Sequence, residues 1–321
     1  MSRSNCAISV SALKKNYHEK EVLKNVSFSV PPGTIYALLG SNGAGKTTTI
    51  RILTTQILAD SGSAAVAGYD VMRDPEKVRE AISLTGQFSA VDEALTGKEN
   101  LMIMGKLRHI PSPEKTADEL LEAFGLTASS EKAAALYSGG MKRKLDIAMS
   151  LIGNPRVIFL DEPTTGLDPQ SRRSMWEIIR TLKESGVTIF LTTQYLEEAE
   201  QLADQIAILD RGILIAEGTA DELKSSLAHG AARFLFEDAE TRERAAALLP
   251  YCRCSFEPEE SGLTVFTDGT ADALARIFHT LYQNRIRIRH FSEITPDLED
   301  VFFTMITKKE EHDEKTNQES L

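Results

Sequence analysis

Cysteine is scarce in this chain: Cys6, Cys252 and Cys254 are the only three in 321 residues, too few for a disulfide framework. Cys252 and Cys254 form a Cys-x-Cys in a strand-like run, where alternation puts both on one face. Reduced thiols are the plain reading of the pair, with metal binding as the alternative. Long apolar runs are missing too. No window approaches the ~18 uninterrupted apolar residues that a membrane-spanning helix requires. The opening MSRSNCAISV has no apolar core after its arginine, which argues against a secretory signal. Positive charge is outnumbered, 36 Lys and Arg against 47 Asp and Glu, so at a net charge of −11 the average field repels a nucleic-acid backbone. The expectation is a soluble, cytoplasmic chain with enough apolar content, 42%, for a large and a small domain. If it serves a membrane, another chain supplies the spans.

Residues 7–13 and 26–30 read as strands, and Pro31-Pro32-Gly33 turns the chain into a third strand at 34–39. From there to about Gly218, apolar strands alternate with helical patterns, the signature of a parallel sheet with helices on its faces. Met175, Trp176, Ile178, Ile179 and Leu182 recur at helical spacing before Gly186, and read as core. Between about 90 and 154 the pattern is helical only. Leu120, Leu121, Phe124 and Leu126 make one apolar face and Met141, Leu145, Ala148, Leu151 and Ile152 another, which predicts a helical subdomain inserted into the α/β body. A hairpin over 206–218 turns at Asp210-Arg211-Gly212, and Thr219-Ala-Asp-Glu222 reads as a capping box.

A second unit is expected over 227–307, in the order strand (233–237), helix (239–249), strand (252–257), strand (263–267), helix (270–284), strand (285–291) and a last helix with Leu298, Val301, Phe302 and Met305. That β-α-β-β-α-β order predicts a small ferredoxin-like α+β domain after a 1–226 first domain. Arg285-Ile-Arg-Ile-Arg289 reads as a half-exposed strand with its arginines solvated. Residues 308–321 are charged and polar without an apolar face, and read as a disordered tail.

Chemistry enters at Gly40-Ser-Asn-Gly-Ala-Gly45-Lys46-Thr47, which matches the phosphate-binding loop. Main-chain amides of such a loop donate to phosphate oxygens, the glycines permit that approach, the lysine adds positive charge and the hydroxyl can ligate Mg²⁺. Here the loop follows the strand-like TIYALL and opens the helix-like TTTIRIL, which aims a positive helix end at the anion. Gly40, Ser41, Asn42, Gly43, Ala44, Gly45, Lys46, Thr47 and Thr48 are therefore the candidate nucleotide-binding residues of this segment. Val157-Ile-Phe-Leu-Asp161-Glu162 is a buried strand ending in two carboxylates. In phosphate-loop proteins the first acid at such a strand end holds Mg²⁺, which assigns Asp161. Glu162 is placed to take a proton from water attacking the γ-phosphate. Ser138-Gly139-Gly140 opens an amphipathic helix, so a hydroxyl, bare amides and a helix dipole converge on a second anion site; by itself the tripeptide also fits an ordinary helix start.

In this order the motifs resemble the ATP-binding cassette family, over about residues 5–226: phosphate loop, a lone glutamine in Leu84-Thr-Gly-Gln87, the signature Tyr137-Ser-Gly-Gly-Met141, the acidic strand end, and Thr165-Gly-Leu-Asp168-Pro. The resemblance implies a P-loop NTPase fold in which two cassettes pair head to tail with ATP between one phosphate loop and the partner's signature. It implies that Ser138, Gly139 and Gly140 contact ATP held by the other subunit, that Asp168 helps join the sites, and that Gln87 reaches Mg²⁺ or water and senses a membrane partner. Tyr17 matches the family's adenine-stacking aromatic, or is a packed loop tyrosine. One position departs from the pattern. Most members carry a histidine after the strand that here ends Thr192-Thr193, whereas this chain has Gln194. A glutamine amide can donate to phosphate but cannot become cationic or take a proton near neutral pH, so Gln194 is expected to position the γ-phosphate beside Glu162 and Lys46.

LTGQFSAVDEALTGKENL and FLTTQYLEEAEQLAD, with the ending Ile294-Thr-Pro-Asp-Leu-Glu-Asp-Val-Phe302, resemble the ATP-binding subunits of daunorubicin-resistance-type drug exporters. That likeness implies an ATPase peripheral to the inner face of the cell membrane, a homodimer working on a separate permease. Residues 88–95 would lie near the groove that receives the permease. Two alternatives stay open: a soluble, non-transport cassette ATPase, and a resistance factor whose C-terminal domain sequesters drug.

Overall fold

The computed structural model describes residues 6–87, 89–226, 230–256, 261–267, 269–294 and 297–302. Phe88, Met305 and the tail from 308 lie outside them. The chain divides into two compact units, Met1–Ala220 and Asp221–Leu321, a division six residues earlier than composition placed it.

The first unit begins with β1 (Ile8–Tyr17), β2 (Lys20–Val30), β3 (Ile35–Leu39), α1 (Lys46–Leu53), β4 (Ser61–Val66) and β5 (Tyr69–Asp70). It continues through α2 (Pro75–Ala81), β6 (Ile82–Thr85), α3 (Gly97–Leu107), α4 (Pro113–Ala123), α5 (Gly139–Leu151), β7 (Val157–Asp161) and α6 (Pro169–Glu184). It closes with β8 (Thr188–Thr193), α7 (Leu196–Leu202), β9 (Gln205–Asp210), β10 (Ile213–Gly218) and the start of α8 (Ala220–Ser226).

Six strands form a sheet in the order β10-β9-β3-β8-β7-β6. Its five inner and last members run parallel, and β10 returns antiparallel to β9. Every residue of β3, β7 and β8 is buried, because a parallel strand covered on both faces has no solvent side to alternate toward. A second, antiparallel sheet has the order β2-β1-β4-β5. Phe28 of that sheet stacks on Tyr36 and Phe190 of the first, with ring centroids 5.2 and 5.7 Å apart, so the aromatic layer between the sheets is the centre of the main core. The β9–β10 turn places Arg211 at φ 46° and Gly212 at φ 80°, the paired left-handed conformation that tight hairpins require.

The helical segment holds α3, α4 and α5. A reciprocal capping box starts α3: the Thr96 hydroxyl accepts from the Glu99 amide, and the Glu99 carboxylate accepts from the Thr96 amide. On α5, Leu145 to Ser150 are all buried, so this helix runs through the interior rather than along a surface. Among the described residues no helix is long and apolar enough to cross a membrane.

The second unit contains β11 (Gly230–Leu235), α9 (Ala239–Ala247), β12 (Cys254–Phe256), β13 (Gly262–Thr267), α10 (Ala271–Gln283) and β14 (His290–Ile294). Its antiparallel sheet has the order β12-β13-β11-β14, the split β-α-β arrangement of a ferredoxin-like fold. Phe234, Phe236, Leu263, Val265, Ile277 and Leu281 lie in its own core. The expected strand over 285–291 is displaced to β14. Arg285 sits at φ 58° and the Ile286 amide bonds back to Leu281, so the alternating run first ends α10 and drops Ile286 into the core before pairing starts. Cys252 and Cys254 are half-buried and form no disulfide.

Candidate functional site

The parallel strands release their chains along one rim. Leu39 pairs with Thr193 and Asp161 with Thr192, so Gly40, Glu162 and Gln194 leave the sheet side by side at its carboxyl end, where open α/β sheets take ligands.

The loop after β3 is held from two directions. The Gly40 amide donates to the Thr193 carbonyl at 3.2 Å, and the Gly212 amide donates to the Ala44 carbonyl at 2.9 Å. The Lys24 amide in turn donates to the Gly212 carbonyl at 2.7 Å. Gly45 has φ 115°, and a Cβ there would stand 2.7 Å from Leu23 Cδ2, so the loop enters α1 by a route open only to glycine. Ser41, Asn42 and Gly43 are exposed above it, and Thr47 and Thr48 are half-buried at the helix start.

Lys46, only 5% exposed, folds over this loop. Its ammonium donates to the carbonyls of Gly40 at 2.7 Å and Ser41 at 3.1 Å, and lies 3.4 Å from Glu162 Oε1. Burial lowers its pKa from the ordinary lysine value, against the pull of the Glu162 and Asp161 carboxylates. The Thr47 hydroxyl donates to Asp161 Oδ1 at 3.4 Å, and the Thr192 hydroxyl donates to the same oxygen. Glu162 takes a left-handed φ of 50°. Its amide donates to the Thr192 carbonyl at 3.1 Å and its Oε2 accepts from the Thr165 hydroxyl at 3.2 Å. Gln194 is half-buried directly past β8, and Gln87 is exposed on the bend past β6. Tyr17, 41% exposed, ends β1 opposite Lys20, with the Lys15 ammonium 5.6 Å from its ring centroid.

Ser138 caps α5, its hydroxyl accepting from the Met141 amide at 3.2 Å. Ser138 and Gly139 are exposed, while Gly140 is buried so closely that a Cβ would lie 2.7 Å from Ser171 Oγ. Ser171 Oγ donates to Asp168 at 2.6 Å, and Asp168 caps α6 through the Gln170 and Ser171 amides at 3.0 Å. The Ser171 hydroxyl and amide hold the Asp168 carboxyl below its ordinary pKa. The structure thus joins Lys46, Thr47, Asp161 and Glu162 in one cluster and Gly140 with Asp168 in another. Among the described residues no hydrogen bond or ion pair links Ser138, Gly139 or Gly140 to the phosphate loop.

Sequence reasoning missed Glu198, Arg143 and Asp146 behind this site, and gave Thr192 no role of its own beyond its place at the polar end of a strand. Glu198 is fully buried on α7 and accepts from the Thr164 hydroxyl at 2.7 Å and the Trp176 indole at 3.3 Å; burial pushes its carboxyl up. It ties the loop after Glu162 to the helix after Gln194. Thr192 braces both Asp161 and Glu162. Arg143 and Asp146 form a buried ion pair on α5, in which burial pushes the Asp146 carboxyl up against the opposing pull of Arg143. A charged pair three residues apart, Arg143 and Asp146, leading into the apolar run IAMSLI was the available signal.

Residues 23–165 match the ABC transporter family. The chain is 43% identical over 311 residues to the daunorubicin/doxorubicin resistance ATP-binding protein of Streptomyces peucetius, covering 93% of this chain and 92% of that one. It is 40% identical over 316 residues to the doxorubicin resistance ATP-binding protein of Mycobacterium tuberculosis, covering 96% of each. The linearmycin resistance ATP-binding protein of Bacillus subtilis is 41% identical over 217 residues, 67% of this chain and 70% of that one. A solved ATP-binding subunit of an ABC transporter superposes with a TM-score of 0.62 at 30% identity, over 69% of this chain and 93% of that one.

Proposed function

Because this chain belongs to the ATP-binding cassette transporter family, we propose that it is the ATP-hydrolysing subunit of an exporter, driving efflux of a hydrophobic drug or antibiotic through a separate permease. The convergence of Lys46, Thr47, Asp161 and Glu162 at the sheet rim carries this reading. Drug-resistance proteins similar over nine tenths of the chain support the cargo class. Its place is peripheral, at the inner face of the membrane, with the loop after Gln87 toward the permease.

The chemistry follows from the site. ATP takes the carbonyl-bound Lys46 ammonium and the amides of residues 40–48 onto its phosphates, and Tyr17 stacks on adenine. Glu162 accepts the proton of the attacking water, and Gln194 donates to the γ-phosphate. The Asp161 carboxylate and Thr47 hydroxyl are adjacent oxygen donors, a set that suits Mg²⁺, which takes one or two protein ligands and keeps water and phosphate oxygens; Gln87 would approach it from the loop. Bound there, Mg²⁺ neutralises charge on the phosphates.

The exposed Ser138-Gly139 turn makes no hydrogen bond to its own chain's phosphate loop among the described residues. Leu136 beside it is 77% exposed. Both features support a homodimer in which each copy lends Ser138, Gly139 and Gly140 to its neighbour's ATP, with Asp168 at the junction. An efflux assay in cells carrying this chain and its permease tests the whole reading: drug retention equal with and without the chain would overturn it.

Gln194 adds a prediction. Its amide supplies one hydrogen bond to an anion, worth ~1.5–3 kcal/mol, so Gln194→Ala should slow hydrolysis about 10–100-fold. Gln194→His should introduce a titration step in turnover between about pH 5 and 8 that the parent lacks. Parental turnover in Gln194→Ala would remove it from the site.

One observation favours drug sequestration as a second reading. The C-terminal unit carries an open groove of about 830 Å³ lined by Phe278, Tyr282, Ile286 and Ile288 together with Glu237, His279, Arg287 and Arg289, a volume within the range of drug-sized sites. The transport reading expects Tyr282→Ala to leave daunorubicin affinity of the nucleotide-free chain unchanged. Fluorescence titration showing a loss of about tenfold or more, the size of a buried aromatic contact, would favour sequestration.

A further inference from the structure

We propose that Arg143 is a positioning residue for hydrolysis, whose guanidinium fixes the main chain on both sides of Glu162 and ties it to the loop that bears Gln87. The inference rests on the assignment of Glu162 as the base.

Arg143 stands on α5 and is 8% exposed. All three of its nitrogens are engaged. Nη2 donates to the Asp161 carbonyl at 3.1 Å and Nε to the Pro163 carbonyl at 3.0 Å, so the peptide unit that enters Glu162 and the one that leaves Pro163 hang on one rigid plane. Nη1 donates to the Gly86 carbonyl at 2.7 Å and faces Asp146 Oδ2 at 3.4 Å. Asp146 Oδ1 accepts the Ala90 amide at 3.2 Å. Both ends of segment 86–90 are therefore fastened to α5, the helix whose first turn is Ser138-Gly139-Gly140.

Glu162 needs such bracing. A left-handed φ in a residue with a Cβ costs ~1–3 kcal/mol and persists only where its surroundings over-determine it. Thr192 takes the Glu162 amide and Arg143 takes the carbonyls of the residues on either side, so the backbone is set while the carboxylate itself meets Lys46 and the Thr165 hydroxyl. A lysine cannot substitute, because its single ammonium does not span a fork of separate carbonyls. Displacement of loop 86–90 relative to α5 thus pulls on the peptide units that orient the base.

The test compares Arg143→Lys, which keeps the charge opposite Asp146, with the parent. Among the described residues none of its hydrogen bonds or ion pairs reaches the phosphate loop, so kcat should fall about 10–100-fold, the cost of a misplaced catalytic group. The ATP KM should stay within about twofold, the pattern of a lost transition-state interaction. Amide hydrogen exchange should rise at 86–90 and 161–165 and stay parental at 145–151. A parental kcat, or a kcat loss matched by an equal change in KM, overturns the proposal. If Arg143→Lys does not fold, the double variant Arg143→Gln/Asp146→Asn removes both buried charges together, avoids a lone buried ion, and carries the same expectations. A chain that folds in neither form makes Arg143 a purely structural residue. Glu162→Gln measured alongside separates the two readings. Parental turnover there overturns the base assignment, whereas a silent Arg143→Lys beside an inactive Glu162→Gln overturns the positioning role alone.

Discussion

Glu162→Gln will lower ATP turnover by about 10²–10⁴-fold, the contribution of a positioned general base, while nucleotide binding survives. The amide has the same shape and keeps an oxygen for the Thr165 hydroxyl, and its main-chain amide still reaches Thr192. It cannot take a proton from water near neutral pH. Binding and chemistry are thereby separated, and the variant should accumulate with ATP held between two copies. Sedimentation of Glu162→Gln with ATP and Mg²⁺ should show a dimer that the nucleotide-free chain does not form. Turnover at the parental rate removes Glu162 as the base. A strictly monomeric ATP-loaded variant, with or without the permease, removes the shared site.

Lys46→Ala should fail one step earlier. The ammonium is held against the Gly40 and Ser41 carbonyls and near Glu162, so ATP meets a cation already in place rather than one recruited from solvent. Each hydrogen bond between a charged donor and phosphate contributes ~1.5–3 kcal/mol, and losing two should weaken ATP binding about 10²–10⁴-fold. The side chain is also what stands 3.4 Å from Glu162, so its removal leaves that carboxylate without its nearest cation. Calorimetric titration with ATP measures the loss directly, and Lys46→Ala should not form the dimer that Glu162→Gln accumulates. Parental affinity would show that the main-chain amides of the loop suffice.

Much of the first unit was legible because its strands announce themselves. Runs such as IYALL, VIFLD and TIFLTT are mainly apolar and buried throughout, and only a sheet covered on both faces buries whole strands in this way. The phosphate loop and the acidic strand end were legible for the same reason: each follows such a run, and the register then sets them next to one another. What escaped was interior polarity. Arg143, Asp146 and Glu198 look like surface charges in a one-dimensional reading, and only the three-dimensional path of α5 and α7 reveals that they are buried with main-chain or hydroxyl partners. The arginine run 285–289 misled in the opposite sense. Its alternation of exposure is real, but it belongs to a chain capping α10 and the core, with Arg289 donating its amide to Leu235 only as β14 begins. Periodicity reports which side chains face inward and is silent on whether a neighbouring strand is there to pair.

The place of β3 in its sheet has a consequence for how the protein is made. β3 lies between β8 and β9, and both are synthesised only after the ribosome has added some 150 further residues. At about 5–20 residues per second, that leaves the central strand and its phosphate loop without either neighbour for roughly 10 s or more. During that interval a wholly apolar strand has no lateral partner on the nascent chain. The oldest motif along the polypeptide is thus among the last to be completed, and an unfinished chain carries the residues for nucleotide without the frame that holds them.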